Sequence, residues 1–324
     1  MDSLTVSSAM VESSIPGSHI IDLHTVKPAE LDDLWQHEMR VWRDRLLWDV
    51  SGIFVVFRRL LERRGVRGKV VQVEGRTVGY AYYVIHAGLG MICGLTVSPD
   101  WSHTEVGETL LQATVDALRR QGVSRIESEF VSFDSPWLVP AFARQGFRTA
   151  WREFQRLELR PVPESAPASA MVQLQPWQWT HLHQAAAIMQ AAYDGGVEAE
   201  MNALYRSADD CRMMLENILS QNGSGVPVDT ASALAHHRGQ GIGFALITEI
   251  APRQGHLAQV AVLPGYQRQG VGRLLLNSGM SRLIGLEFDT LSLIVSRANQ
   301  RALRLYQAMG FQAVVSFPVF AWER

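Results

Sequence analysis

The sequence predicts an α+β fold used twice in tandem, and three observations carry the prediction. First, LTVSPDWSHTEVGETLLQATVDAL (95–118) and VAVLPGYQRQGVGRLLLNSGMSRL (260–283) share one order of elements: an apolar strand, a proline, a polar loop, a glycine and a helix, with Pro99 and Pro264 offset by 165 residues. Second, ARQGF (143–147) and QAMGF (307–311) repeat at an offset of 164, so the register holds with a single gap. Third, each half runs through helices, antiparallel strands, loop, helix, strand, helix and strand. The length agrees, since 324 residues make two domains at about 150 residues each.

Taken in order, residues 1–17 carry Asp2 and Glu12 and lack both a basic start and an apolar h-region, so they read as a flexible tail rather than a leader. A first domain is expected over 18–160. Its helical segments fall at 29–47 and 52–64, and its hairpin at 69–87 turns on Glu74-Gly75. The helix after the loop shows an apolar face of Val106, Leu110, Leu111, Thr114 and Leu118. A buried strand IESEFVS (126–132) follows, then a helix with Ser135 as N-cap, Pro136 at its first position and Gly146 as its stop. Pro161, Pro163 and Pro167 among Ser and Ala mark 161–170 as a linker. The second domain, 171–324, repeats the plan: helices at 177–192 and about 205–220, a hairpin at 232–250 turning at Arg238-Gly239-Gln240-Gly241, and a helix facing inward through Leu276, Met280, Leu283 and Ile284. The strand TLSLIVS (290–296) and a helix with Ala302, Leu305, Tyr306 and Met309 on one face complete it.

Composition excludes several function classes. With 47% apolar and 19% charged residues the chain can bury a core in each half. Thirty basic against 32 acidic residues leave a formal charge of −2, which gives no footprint for nucleic acid or an anionic membrane. The six basic residues of FRRLLERRGVRGK (57–69) read as a solvated helix face. No apolar stretch approaches the ~18 residues of a membrane span. Two cysteines, Cys93 and Cys211, fit a reducing compartment, so the expected location is cytoplasmic. His181 and His183 fall on different faces of a helix, and His236 and His237 on opposite sides of a strand, so no metal site is expected.

The chemistry concentrates at Gln267-Arg268-Gln269-Gly270-Val271-Gly272, between an apolar strand and a helix. A glycine-rich turn at a helix N-terminus presents unpaired N–H groups and the positive end of the dipole, which suits a phosphate. Such turns are also common without a ligand. Asn299-x-x-Ala302-x-x-x-Tyr306-x-x-x-Gly310-Phe311 follows the next strand. Together with Gln267-x-x-Gly270-x-Gly272 and the strand QVAVLP, it resembles the GNAT superfamily of acyl-coenzyme A-dependent N-acyltransferases over 171–324.

The resemblance implies two tandem GNAT-like domains, each a mixed, mostly antiparallel sheet flanked by helices, with acetyl-coenzyme A as co-substrate and a small-molecule or peptide amine as acceptor. It implies that N–H groups of Arg268, Gln269, Gly270, Val271, Gly272 and Arg273 hold the coenzyme's diphosphate beside Gln267. The backbone of Val260, Ala261 and Val262 would pair with the pantetheine arm. Tyr306 occupies the position of the family's general acid, although its helix face also reads as core. Asn299 either contacts the pantetheine or caps a helix. A base is needed to deprotonate the amine. His256, eleven residues before Gln267, stands where some relatives carry a Glu, although a solvated histidine would look the same; Glu249 is the rival. Asp194, Glu198, Glu200, Asp209 and Asp210 gather around the helices that shape the acceptor site in this superfamily, where they would attract a cationic amine or simply face solvent.

The first half departs from the pattern. Ser102 stands for Gln267, Glu105 for Gly270, Ser135 for Asn299 and Phe142 for Tyr306, while Gly107 is kept. One coenzyme per chain is therefore expected. The rival reading is a non-catalytic coenzyme A sensor or interaction scaffold.

Overall fold

The computed structural model describes residues 17–102, 105–160, 172–220 and 224–324. The expected linker at 161–170, and the expected tail apart from Gly17, lie outside the described residues. In chain order the elements are β1 (Ser18–Asp22), α1 (Asp32–Leu46), α2 (Ser51–Glu62), β2 (Arg67–Val73), β3 (Arg76–His86), β4 (Leu89–Val97), α3 (Val106–Arg120), β5 (Arg125–Ser128), α4 (Leu138–Arg144) and β6 (Arg148–Glu158). There follow β7 (Val172–Pro176), α5 (Leu182–Tyr193), α6 (Val197–Met201), α7 (Ala208–Ser220), β8 (Val226–Pro227), β9 (Ala233–His237), β10 (Gln240–Ala251), β11 (Gln254–Val262), α8 (Val271–Gly285), β12 (Thr290–Ser296), α9 (Gln300–Ala308) and β13 (Gln312–Glu323). The fold is α+β as expected, with mostly antiparallel pairing among the described residues and parallel pairs at β4–β5 and β11–β12.

Two compact units contain these elements: Met1–Arg40, Phe54–Thr149 and Pro318–Arg324 in the first, Val41–Ile53 and Ala150–Phe317 in the second. In the first unit β1 to β5 pair in succession, and β5 takes Phe320–Glu323 of β13 as its other neighbour. In the second, β6 pairs antiparallel with β12, from Glu158 opposite Thr290 to Arg152 opposite Ser296, followed by β11, β10, β9 and β7. Each unit thus takes its last strand from the other half of the sequence.

The first hairpin turns on Glu74-Gly75 as expected; the second turns on Arg238-Gly239 alone, because Gln240 and Gly241 already pair with His237 and His236. Glu74 and Gly75 have φ of 50° and 78°, and Arg238 and Gly239 have 51° and 81°, the doubly left-handed turn that matches strand twist. Two further local expectations are corrected. The strand IESEFVS stops at Ser128, because both neighbours end there: β4 pairs with it only to Ile92, and β13 only to Phe320. The following helix starts at Leu138 rather than at Pro136; Ser135 instead accepts the Leu138 N–H on its carbonyl in a preceding turn.

Packing follows the strand alternation. Along β10, Ala245 and Ile247 face a core with Leu275, Leu276, Leu283 and Leu291, whereas Phe244 and Leu246 face one with Leu182, Met189 and Leu215. A strand covered on both faces reads as a nearly continuous apolar run, which GIGFALITEI is. In the first unit Phe142 is wholly buried and stacks on Phe320 of β13 at 3.7 Å.

Candidate active site

The site of the second unit begins where β11 parts from β12 while it stays paired with β10 as far as Val262. Leu246 of β10 faces Gln259 and Ile247 faces Leu257, so Ala258 is an extra residue that bulges the strand. Pairing of β11 with β12 also stops at Leu257, opposite Leu293. Beyond that point, on the side that β12 has left, the Val260 peptide is engaged by side chains. Its N–H donates to Gln259 Oε1 at 3.1 Å, and its carbonyl accepts the Tyr193 hydroxyl at 2.7 Å.

The loop follows directly. Gln267 Nε2 donates to the Val262 carbonyl at 2.9 Å while its Oε1 accepts from the Arg301 guanidinium, so this glutamine ties the strand end to α9. Arg268 and Gly270 have φ of 64° and 83°, a left-handed geometry of the kind that makes anion-binding concavities. The Leu274 N–H reaches back to the Gly270 carbonyl at 2.9 Å, which leaves the N–H groups of Val271, Gly272 and Arg273 ahead of the first helical bond of a 15-residue helix. A Cβ on Gly270 would have no atom within 4 Å, and one on Gly272 would only touch Leu305 Cδ2 at 3.7 Å, so no side chain covers the helix start at Gly270. These features fit a diphosphate.

A cavity of about 500 Å³ joins strand edge, loop and α9. It brings together Val260, Ala261, Val262, Gln267, Arg268, Gly270, Gly272, Arg273, Asn299 and Tyr306, while Gln269 and Val271 are outside its lining. Gln269 instead donates to the Gly265 carbonyl, and the Val271 side chain is core. Asn299 Oδ1 accepts the Ala302 N–H at 3.1 Å and so caps α9 while lining the cavity. Tyr306 is 5% exposed, and burial, reinforced by the charge of Glu198, raises its phenol well above the ordinary tyrosine range. The hydroxyl therefore keeps its proton across the physiological range.

His256 and Glu249 are elsewhere. The Glu249 carboxylate accepts the Arg253 N–H at 2.8 Å, bracing the turn between β10 and β11. His256 is neither in the cavity wall nor solvated: its ring is 4.7 Å from Trp48 and stacks on Phe154 at 6.1 Å, with Nδ1 2.9 Å from Ser292 Oγ. Burial pushes its pKa down to about 3. In the unfolded chain a histidine titrates near 6.5. The neutral ring's contribution to stability is thus complete above that value and is lost progressively as pH falls toward 3. His256→Asn is expected to flatten the acid-side decline of Tm over this window; an unchanged slope would overturn this account.

Of three further features of the site, two were not read from the sequence, and Glu198 was read only as one acid among several. Tyr193, at the end of α5, reaches across to Val260. Glu198 of α6, 8% exposed, pairs through Oε2 with Arg152 of β6 at 3.5 Å. Arg301 and Arg304, one turn apart on α9, line with Arg268 a second cavity of about 370 Å³ beside the loop. The only sequence signal for this basic group is the spacing of Arg297, Arg301 and Arg304. Among the described residues no group of three or more His, Cys, Asp or Glu could hold a metal ion, and no helix is long and apolar enough to cross a membrane.

The corresponding place in the first unit is filled. A Cβ on Gly107, the counterpart of Gly272, would lie 2.4 Å from the Trp137 indole, which therefore covers the start of α3. Glu105 is the N-cap residue of that helix. Alongside β4, the half-buried Glu38 accepts from the Tyr80 hydroxyl at 3.0 Å and from Thr96 at 2.8 Å. Calorimetry is expected to find one coenzyme A per chain, and a stoichiometry near two would refute it.

The sequence model of the acetyltransferase (GNAT) family matches residues 29–147 and 229–311. The mycothiol acetyltransferase of Acidimicrobium ferrooxidans is 27% identical over 260 residues, covering 77% of this chain and 80% of that protein. The [ribosomal protein bS18]-alanine N-acetyltransferase of Escherichia coli is 40% identical over 65 residues, 20% of this chain and 44% of that one. Among solved structures, a GCN5-related N-acetyltransferase from Sphaerobacter thermophilus superposes with a TM-score of 0.69 at 13% identity, covering 96% of this chain and 97% of its own. A tandem GNAT protein from the clavulanic acid biosynthesis pathway gives 0.53 at 16% identity over 80% and 82%. At these identities the two structures share the fold.

Proposed function

The chain belongs to the acetyltransferase (GNAT) family and is an acyltransferase, and from that premise we propose that it moves an acetyl group from acetyl-coenzyme A to an amine by direct attack on the thioester, in the second unit. The observation that carries the proposal is the convergence, in one cavity, of the helix start at Gly270 and Gly272, the edge Val260–Val262 where β11 has parted from β12, and the buried Tyr306. Acetyl-coenzyme A supplies an activated acyl carbon and a thiolate leaving group. The N–H groups of 268–273 and the positive end of α8 bind its diphosphate, with Arg268, Arg273 and Arg301 adding charge. Val260, Ala261 and Val262 orient the pantetheine arm, and Asn299 fixes the start of α9.

Tyr306 holds the proton that the departing sulfur requires. The acceptor attacks as the neutral amine, its ammonium proton having passed to solvent water; as the nitrogen–carbon bond forms and the carbon–sulfur bond breaks, the electron pair of the latter goes to sulfur, which takes the phenolic proton. The proton shed by the new amide nitrogen restores the phenol. A thiol near pKa ~8.5 makes a good leaving group even with modest acid assistance. Neither His256, buried and neutral, nor Glu249, engaged at a turn, enters the proposal as the base. The relatives' names point to two acceptor kinds, mycothiol and a ribosomal protein's alanine. The first accompanies a match over most of the chain.

Thiol release from acetyl-coenzyme A across an amine panel tests the reading, with product mass and hydroxylamine stability separating N- from O-acetylation. Release that requires an amine supports it. Coenzyme binding without release from any amine overturns it in favour of a sensor.

A further inference from the structure

The first unit keeps a splayed strand although its helix start is covered. Tyr82 of β3 faces Gly94 and Tyr83 faces Ile92, so Cys93 is an extra residue that bulges β4, and β4 pairs with β5 only as far as Ile92. The Ser98 N–H donates to the Val78 carbonyl at 2.7 Å. Alternation along the antiparallel pair then turns the peptide groups of Thr96 toward β3 and those of Leu95 and Val97 away from it, into the gap that β5 leaves. Among the described residues no hydrogen bond reaches the N–H or C=O of Leu95 or Val97, and both residues are only half-buried. Unpaired strand groups of this kind are a template for an added strand. Glu38 of α1 stands beside this edge. It accepts from Thr96 and from the Tyr80 hydroxyl through one oxygen, Oε2, and no cation pairs with it among the described residues. Burial raises its pKa against the opposing pull of those two hydrogen bonds, so an arriving cation offsets the desolvation. The wall around the carboxylate is aromatic: the Tyr82 ring lies across Gly94, where a Cβ would come within 2.5 Å of it, and packs on Phe57 at 4.7 Å. An acid flanked by aromatic faces suits an ammonium or guanidinium group.

We propose that this edge binds an extended basic segment of a partner protein, its main chain paired with Leu95 and Val97 and a lysine or arginine side chain seated at Glu38. Coenzyme A does not fit the same place. Trp137 covers the start of α3 and Glu105 stands at its N-cap, so a diphosphate has no seat, and the pantetheine arm brings no cation to Glu38. The longer segments of this chain outside the described residues, 1–16 and 161–171, contain no Lys or Arg, so the basic group comes from another chain.

Acetylated, amidated heptapeptide pools test this on the full-length protein, with lysine, arginine, norleucine or glutamate fixed at the centre and the other positions randomised. Fluorescence anisotropy reads affinity, and amide hydrogen exchange reads Leu95 and Val97. The lysine and arginine pools are expected to bind roughly 10- to 100-fold more tightly than the norleucine pool, the worth of one charge-assisted contact, and the glutamate pool more weakly still. Binding should slow exchange at both amides. Glu38→Gln keeps an acceptor for Tyr80 and Thr96 and should erase the preference for the basic pools. N-methylation of alternate backbone amides in the lysine pool should abolish the protection in one of its two phases, and this change on the ligand keeps the test sharp even where the variant folds poorly. Failure of every pool to bind, equal affinity across the pools, a basic preference that survives Glu38→Gln, or binding without protection at Leu95 and Val97 overturns the proposal. Protection by pantetheine would assign the edge to a coenzyme arm, and protection on raising the protein concentration alone would assign it to a second copy; either overturns it as well. None of these outcomes bears on the chemistry of the second unit.

Discussion

Tyr306→Phe is expected to lower turnover by about 10²–10⁴-fold, the usual contribution of a positioned acid, with affinity for coenzyme A unchanged. Two features set the expectation. The residue is 5% exposed, and its ring packs on Phe311 at 5.7 Å, so phenylalanine fills the same space. Tyr306 belongs to the cavity wall, and burial raises its phenol well above the ordinary tyrosine range, so the phenol is in the donating form throughout the pH range of an assay. Its loss therefore removes a proton donor and little else. Steady-state kcat beside a calorimetric Kd separates the two effects: a fall in both would mark a folding defect, and an unchanged kcat would remove Tyr306 from the chemistry. The wild-type rate should also show no loss from Tyr306 ionisation up to about pH 9, because the group stays neutral there.

The first half illustrates what that hydroxyl is worth to the site. Phe142 occupies the place of Tyr306 at the 164-residue offset, and instead of facing a cavity it stacks on Phe320. That substitution was legible in the sequence, as were the loop, the hairpin turns and the helix faces, because each is a local pattern of a few residues. The exchange of last strands was not. Both RTAWREFQRLE and QAVVSFPVFAWE read as strands, and nothing in their alternation says which sheet accepts them, since pairing partners are fixed by tertiary packing. His256 misleads for a related reason. Counting back from Gln267 assumes an unbroken strand, yet the bulge at Ala258 inserts one residue, and with a side-chain period of two that changes which face His256 meets. Its cage of Trp48 and Phe154 comes from segments more than 100 residues away in the sequence, out of reach of any local pattern. Glu198 was visible only as one acid among several; its burial against Arg152 singles it out.

Gly270→Glu is expected to weaken coenzyme A binding by roughly a thousandfold. The substitution writes into the second loop what the first half already carries at the same place, Glu105. Two unit charges about 4 Å apart repel by ~4 kcal/mol at an effective dielectric near 20, which is about three decades in Kd. The backbone contributes separately. Gly270 sits at φ 83° as the residue before α8, a conformation that costs an L-residue about 1–2 kcal/mol. No atom lies within 4 Å of the position its Cβ would take, so crowding adds nothing. Gly270→Ala therefore isolates the conformational cost and should lower Tm slightly while sparing most of the affinity. The gap between the two variants is then the electrostatic part, and it should shrink as salt rises from 50 to 500 mM because the loop is exposed to solvent. Titration calorimetry on both variants at the two ionic strengths decides the matter. Equal affinities for Gly270→Glu and Gly270→Ala would mean that no phosphate lies against this helix start, and the coenzyme would have to be held by the arginines of α9 instead.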